Sequence, residues 1–203
     1  MSTNLSKIIY INLNKRNDRR TQIETELNNY NLPFERFEAI ETAGFGILGC
    51  GYSHLNVLKI ARDRKYENIL IFEDDFTFLI SKEEFEEQLE LFFNSNIEYN
   101  VCMLSYSLHN MDTSFNSDLL FKIGFSQSAS GYIVNKNYYD ELINLYEWAL
   151  PLLKSSGVHW EYANDIVWKT LQHKDKWFGF KKRIGKQRDG FSDNSNCFQS
   201  YNC

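Results

Sequence analysis

The sequence predicts an α/β domain built on a parallel sheet. Three observations carry that prediction. The first half reads strand, helix, strand, helix, strand, an order that calls for right-handed crossovers onto one sheet. Two of those strands, residues 7–13 (KIIYINL) and 68–72 (NILIF), are short apolar runs rich in β-branched and aromatic residues. The chain has 203 residues, enough for one sizeable core without disulfides or a structural metal.

Each element has its own signal. KIIYINL opens the sheet and gives way to the polar run NKRNDRR (14–20). Residues 19–30 then read as a helix with Asp18 as its N-cap. FERFEAI (34–40) alternates as a second strand, and GFGILGCG (44–51) reads as a glycine-dense loop. A helix over 52–65 follows, with Leu55, Leu58 and Ala61 on one face. NILIF is the clearest buried strand and runs straight into Glu73, Asp74 and Asp75. Ser81 and Glu84 have capping-box spacing at the head of a helix over 81–93, whose many glutamates form a solvated face. Strands are expected over 100–106, 119–125 and 130–135, with a helix over 136–150 stopped near Pro151. A last helix over 159–172 precedes a Gly-, Ser- and Asn-rich tail that holds a short aromatic strand at 176–180.

Composition excludes several classes. With 43% hydrophobic, 24% charged and 16% aromatic residues, the chain is not disordered, collagenous or a small disulfide scaffold. A net charge of −5 and a pI near 5.4 argue against a general nucleic-acid binder. No window of 18 apolar residues predicts a transmembrane helix. The opening MSTNLSKIIYINL lacks the features of a signal peptide, so a cytoplasmic protein is expected. The four cysteines are widely spaced without a CxxC pair, as thiols of a reducing compartment are. Only Cys197 and Cys203 lie near enough for a local bridge.

Four constellations could carry chemistry. The first is Glu73-Asp74-Asp75 at the end of a buried strand, the edge where open α/β sheets bind ligands. Crowded carboxylates there repel one another, and a hard divalent cation relieves that repulsion. If the strand continued, Glu73 and Asp75 would share one side and Asp74 the other; an acidic turn in water is the plain alternative. The second is Gly44 to Gly49, formally GxGxxG. The polar stretch before it and its place on the second strand-to-helix connection favour a loop without phosphate contact. The third is basic: Arg16, Arg19 and Arg20, with Lys181, Lys182, Arg183, Lys186 and Arg188, either neutralise a diphosphate or coat the surface. The fourth is Asp165 among Trp160, Tyr162, Ile166 and Trp168. Partial burial there would raise its pKa toward that of a useful base, unless it sits on the polar helix face. His54, His109, His159 and His173 have no HxxxH or HExxH spacing, and no GxSxG elbow, P-loop lysine or EF-hand loop is present.

In order and spacing, YINLNKRNDRR (10–20), GILGCGYSHLNVLKIA (46–61) and ILIFEDDF (69–76) resemble glycosyltransferase family 25, the lipooligosaccharide and collagen galactosyltransferase group. SASGYIVNKNYYDEL (128–142) and GKQRDGFSDN (185–194) extend the resemblance over residues 7–194. It implies a GT-A-like, Rossmann-like single domain with a mostly parallel central sheet and helices on both faces. The nucleotide-binding half would span about 7–110 and the acceptor half about 111–195. It implies a UDP-hexose donor, galactose or glucose, and a glycan or protein hydroxyl acceptor. It also implies Mn²⁺ or Mg²⁺ and an inverting single displacement.

Carried over by residue, the resemblance implies that Asn12, Arg16, Arg20, Ser53, His54, Glu73, Asp74 and Gln187 serve the donor. Arg19 falls in the same N-terminal motif. It implies metal ligation by Asp75 and Glu73, and a catalytic base at Asp165 in the pair Asn164-Asp165. Glu73 stands where the family's DXD triplet has its first Asp, and its longer side chain suits ribose contact better than ligation. The lack of a luminal signal is similar to the soluble bacterial or viral members. Two other readings stay open: a metal-dependent nucleotidyltransferase, and a catalytically inactive carbohydrate- or partner-binding protein of the same fold.

Overall fold

The computed structural model describes residues 4–192 and 197–200. Strand β1 (Ile8–Asn12) is hydrogen-bonded on one side to β2 (Glu35–Glu38) and on the other to β3 (Asn68–Glu73), both parallel to it. Beyond β3 the eight-stranded sheet continues with β8 (Gly131–Asn135), β5 (Val101–Met103), β9 (Trp177–Phe180), β7 (Leu120–Gln127) and β6 (Ser107–Asp112). The pairings make six strands point one way, with β8 and β7 running against them. One sheet thus runs through both halves of the chain.

Side-chain alternation builds two cores, one on each face. Ile9, Ile11, Ile69 and Ile71 pack on one face with residues of α2 (Gly46–Asp63) and α4 (Tyr139–Ser156). Ile8, Tyr10, Leu70 and Phe72 pack on the other with residues of α1 (Asn17–Asn29) and α3 (Lys82–Asn94). Cover on both faces is why β1 and β3 read as unbroken apolar runs. The predicted capping box at Ser81 and Glu84 is present, and both of its hydrogen bonds form.

Several expectations are corrected. Asp18 is not the N-cap of α1: Arg16 holds that place, and Asp18 sits in the first turn paired with the Arg16 guanidinium. The segment 44–51 is largely helix, because α2 begins at Gly46. Gly49 and Gly51 serve close approach, whereas Gly44 serves a φ of +71°. A Cβ on Gly49 would lie 2.2 Å from the Ile40 carbonyl oxygen, and one on Gly51 would lie 2.4 Å from Leu150 Cδ2. Helix α4 does not stop at Pro151 but runs on to Ser156, and Gly157 ends it with φ +73°. The single helix expected over 159–172 is three short turns, α5 (His159–Tyr162), α6 (Asn164–Val167) and α7 (Lys169–Gln172). Extended backbone at Ala163 separates the first two.

The reading of the sequence also omits β6, β4 (Phe76–Phe78) and β10 (Gly185–Gln187), the last two of which pair with each other away from the large sheet. The short antiparallel pair β11 (Gly190–Ser192) and β12 (Cys197–Gln199) is likewise new. Cys203 lies outside the described residues, and with it the expected Cys197–Cys203 bridge. Among the described residues no helix is long and apolar enough to cross a membrane.

Candidate active site

The C-terminal ends of β1 and β3 open onto a cleft of about 800 Å³. The loop after β1 with Arg16, continued by Arg19 on α1, forms one wall, and residues 39–47, reaching the start of α2, form the other. Cys50, Glu73, Asp74 and Asp75 line it, together with Gln187 and His159. This is the edge at which the parallel register Ile11 to Glu73 ends.

The acidic triplet does not keep strand alternation. β3 ends at Glu73, and the chain turns at Asp74 and Asp75 before β4. Glu73 therefore leaves toward α2, while Asp74 and Asp75 turn together toward α1. The strand does not continue, so the condition under which Glu73 and Asp75 would share a side is not met. Asp74 Oδ2 accepts from Asn12 Nδ2 at 2.7 Å, and its Oδ1 accepts from Arg19 Nη1 at 3.1 Å. The same Arg19 nitrogen donates to Asp75 Oδ2 at 2.9 Å, and Gln187 Nε2 donates to that oxygen at 3.0 Å. The β4–β10 pairing sets Gln187 opposite Phe76, which is how it reaches Asp75.

The other oxygen of Asp75, Oδ1, is buried and accepts nothing from the described residues. Burial pushes the Asp75 carboxyl up to about 7; the Glu73 charge adds to the rise and Arg19 opposes it. Burial also raises Asp74, against Arg19 and Asn12. An unpaired buried carboxylate oxygen beside further acids fits a hard divalent cation.

Glu73 meets a different partner. His54, fully buried on α2, places Nε2 2.9 Å from Glu73 Oε1 and Nδ1 2.8 Å from the Tyr132 hydroxyl. Burial works to raise the Glu73 carboxyl, yet the hydrogen bond and charge of His54 outweigh it and hold the group below its ordinary value. The Cys50 thiol approaches the same oxygen at 3.5 Å.

The remaining expected residues divide. Asn12 and Arg16 line the cleft with the triplet and Gln187. Ser53 braces its wall from behind: its hydroxyl accepts from Ile40 N at 2.8 Å and donates to Gly49 O at 2.7 Å. His54 likewise acts through Glu73. Arg20 is not brought to the cleft, because its guanidinium pairs with Glu24 at 2.9 Å. Arg19 holds the position instead. Arg16 stands i,i+3 from Arg19 and i,i+4 from Arg20, both same-face spacings, so the choice between the two was not legible in the spacing. Cys50 and His159 were missed as lining residues; the i,i+4 spacing of Cys50 and His54 was the available sign for the first. Asp165, on α6, is not among the residues that line the cleft; its carboxyl is raised by burial and by the Glu73 charge, while the Ser128 backbone N–H donates to Oδ2 at 3.3 Å.

No protein-family model matches the sequence, and no curated protein matches it. Solved structures do match its fold. The protein A197 from STIV aligns over 98% of this chain and 95% of its own, with a TM-score of 0.53 and 9% identity. A glycosyltransferase involved in the glycosylation of the major capsid of PBCV-1 aligns over 94% of this chain and 95% of its own, with a TM-score of 0.53 and 9% identity. The likeness is one of fold: the chain has the GT-A-like α/β architecture that such a transferase uses.

Proposed function

We propose that the protein is a glycosyltransferase of the family 25 type. It transfers a hexose, galactose or glucose, from a UDP-sugar to a glycan or protein hydroxyl in the cytoplasm, with inversion. The observation that carries this reading is the convergence of Asn12, Arg19 and the acidic triplet at one sheet edge, in a cleft large enough for a nucleotide sugar.

Asn12 and Asp74 fix each other at the floor, and Arg16, paired with Asp18, stands on the wall as the cation for the donor's phosphates. Glu73, kept ionised by His54, offers an acceptor to ribose hydroxyls. Arg19 replaces Arg20 in the donor set. Ser53 and His54 are positioning residues that hold the wall and Glu73. Gln187 steadies Asp75. Asp75 would hold Mn²⁺ or Mg²⁺ through Oδ1. Glu73 is the weaker second ligand, because its Oε1 already serves His54. Such an ion, when bound, neutralises the leaving diphosphate.

Asp165 is the proposed base. On this reading Asp165, which stands on α6 outside the residues that line the cleft, takes the acceptor's hydroxyl proton as that oxygen attacks the anomeric carbon and UDP leaves. The test is to incubate the protein with a panel of nucleotide sugars and Mn²⁺ and follow nucleoside diphosphate release by slow hydrolysis, which needs no acceptor. UDP from a UDP-hexose supports the reading. Pyrophosphate released from a nucleoside triphosphate, with no UDP from any sugar donor, assigns the cleft to nucleotidyl transfer instead.

A further inference from the structure

We propose that Cys50, His54 and Glu73 form a site for a thiophilic divalent cation of the Zn²⁺ class, which shares only Glu73 with the hard-cation position at Asp75 Oδ1. Cys50 and His54 are i,i+4 on α2 and so share a face, and Glu73 enters from the end of β3. One ligand atom from each lies within 4.8 Å of the other two.

The separations suit a tetrahedral ion. Metal distances of about 2.0–2.2 Å to nitrogen and oxygen and about 2.3 Å to sulfur put the nitrogen and oxygen ligands about 3.4 Å apart, and the sulfur and oxygen about 3.6 Å apart. Cys50 Sγ and Glu73 Oε1 already stand 3.5 Å apart. His54 Nε2 and Glu73 Oε1, at 2.9 Å, need to open by only about half an ångström as the metal replaces their hydrogen bond.

The surroundings are those of a metal ligand. His54 is fully buried, and its second ring nitrogen lies 2.8 Å from the Tyr132 hydroxyl, the outer-sphere partner that fixes a ligating imidazole. With the ion on Nε2, the ring proton resides on Nδ1 and is donated to Tyr132 Oη. The thiol of Cys50 gives up one proton to the solvent when its sulfur binds, so binding releases one proton. Burial and the Glu73 charge otherwise keep that thiol protonated, and a cation is the group that reverses this. Thiolate with imidazole selects Zn²⁺ over Mn²⁺ and Mg²⁺. Cys50 and Glu73 both line the cleft, so the fourth coordination position opens into it.

The experiment is a Co²⁺ titration of the metal-free protein, reading the thiolate-to-cobalt charge-transfer band, followed by displacement with Zn²⁺. One equivalent should develop the band, and Cys50→Ser should lose it with at least a hundredfold drop in Zn²⁺ affinity. Tyr132→Phe should keep the band but weaken Zn²⁺ binding by about 10–100-fold. Asp75→Asn should leave the band intact whatever it does to UDP binding, which separates this site from the glycosyltransferase reading. A missing band at saturating Co²⁺, or a band that persists in Cys50→Ser and so belongs to another thiol, overturns the proposal.

Discussion

Three consecutive carboxylates end β3 and meet opposite environments. Glu73 turns to α2, where His54 holds it ionised against the cost of burial. Asp74 and Asp75 turn to α1, where one guanidinium nitrogen of Arg19 serves both. Asp75 is left with a buried oxygen that no described residue satisfies, and its carboxyl is pushed up to about 7. The protein therefore answers the charge on the Glu73 side itself and leaves the Asp75 side for something that enters the cleft. The triplet is better understood as one braced carboxylate beside an incomplete pair than as three equivalent ligands.

The strongest way to break this comparison is Asp75→Asn. Loss of a metal ligand forfeits several kcal/mol of transition-state stabilisation. Turnover should fall on the order of a thousandfold, and Mn²⁺-induced thermal stabilisation should vanish while the fold persists. A variant that retains its full thermal response to Mn²⁺ would make Asp75 structural. Asp165→Asn should cost about 10²-fold or more in turnover, as loss of a general base does. It should leave UDP affinity within about threefold, which is under 1 kcal/mol. Loss of UDP binding in that variant would move Asp165 to the donor side.

The third prediction concerns pH and the metal-free protein. The Asp75 carboxyl is raised from 3.8 to about 7 in the folded state, so the folded state binds its proton more tightly than the unfolded chain does. That contribution to stability is fully present below about pH 4 and is lost as pH rises through 7. The size corresponds to at most about 4 kcal/mol, with Arg19 and local relaxation reducing it. Urea denaturation should therefore find Asp75→Asn more stable than the parent at pH 8, with the gap closing toward pH 4. A gap that widens on acidification would contradict the assignment.

The smallest effect sharpens the difference between neighbouring arginines. Arg20→Ala should leave UDP affinity unchanged within about threefold, whereas Arg19→Ala should weaken it by about tenfold. Titration calorimetry on the two variants separates them, and equal losses would restore Arg20 to the cleft.

Much of this arrangement was legible in the sequence. The apolar runs of β1 and β3 and the capping box at Ser81 rest on local patterns, and local patterns are what a sequence displays. The acidic triplet was found because it interrupts such a run. Its division was not legible, since alternation assumes that the strand continues, and the turn at Asp74 and Asp75 depends on the pairing of β4 with β10, more than a hundred residues further along the chain. The glycines of α2 read as a loop because their use is tertiary: Gly49 lies against the 40–42 segment and Gly51 against Leu150. Pro151 reads as a stop, yet packing of α4 on the core carries the helix past it. The pairing of Cys50 with His54 and Glu73 joins a helix face to a strand end, and the i,i+4 spacing of Cys50 and His54 marks only its helical half.

The most direct measurement is the affinity of the protein for UDP, by titration calorimetry, in Mn²⁺ and again in excess EDTA. A UDP-sugar cleft whose open carboxylate is Asp75 requires binding in Mn²⁺ to be at least tenfold tighter, about 1.4 kcal/mol or more, with the difference absent in Asp75→Asn. Equal affinity with and without the chelator, or no UDP binding under either condition, would contradict the account.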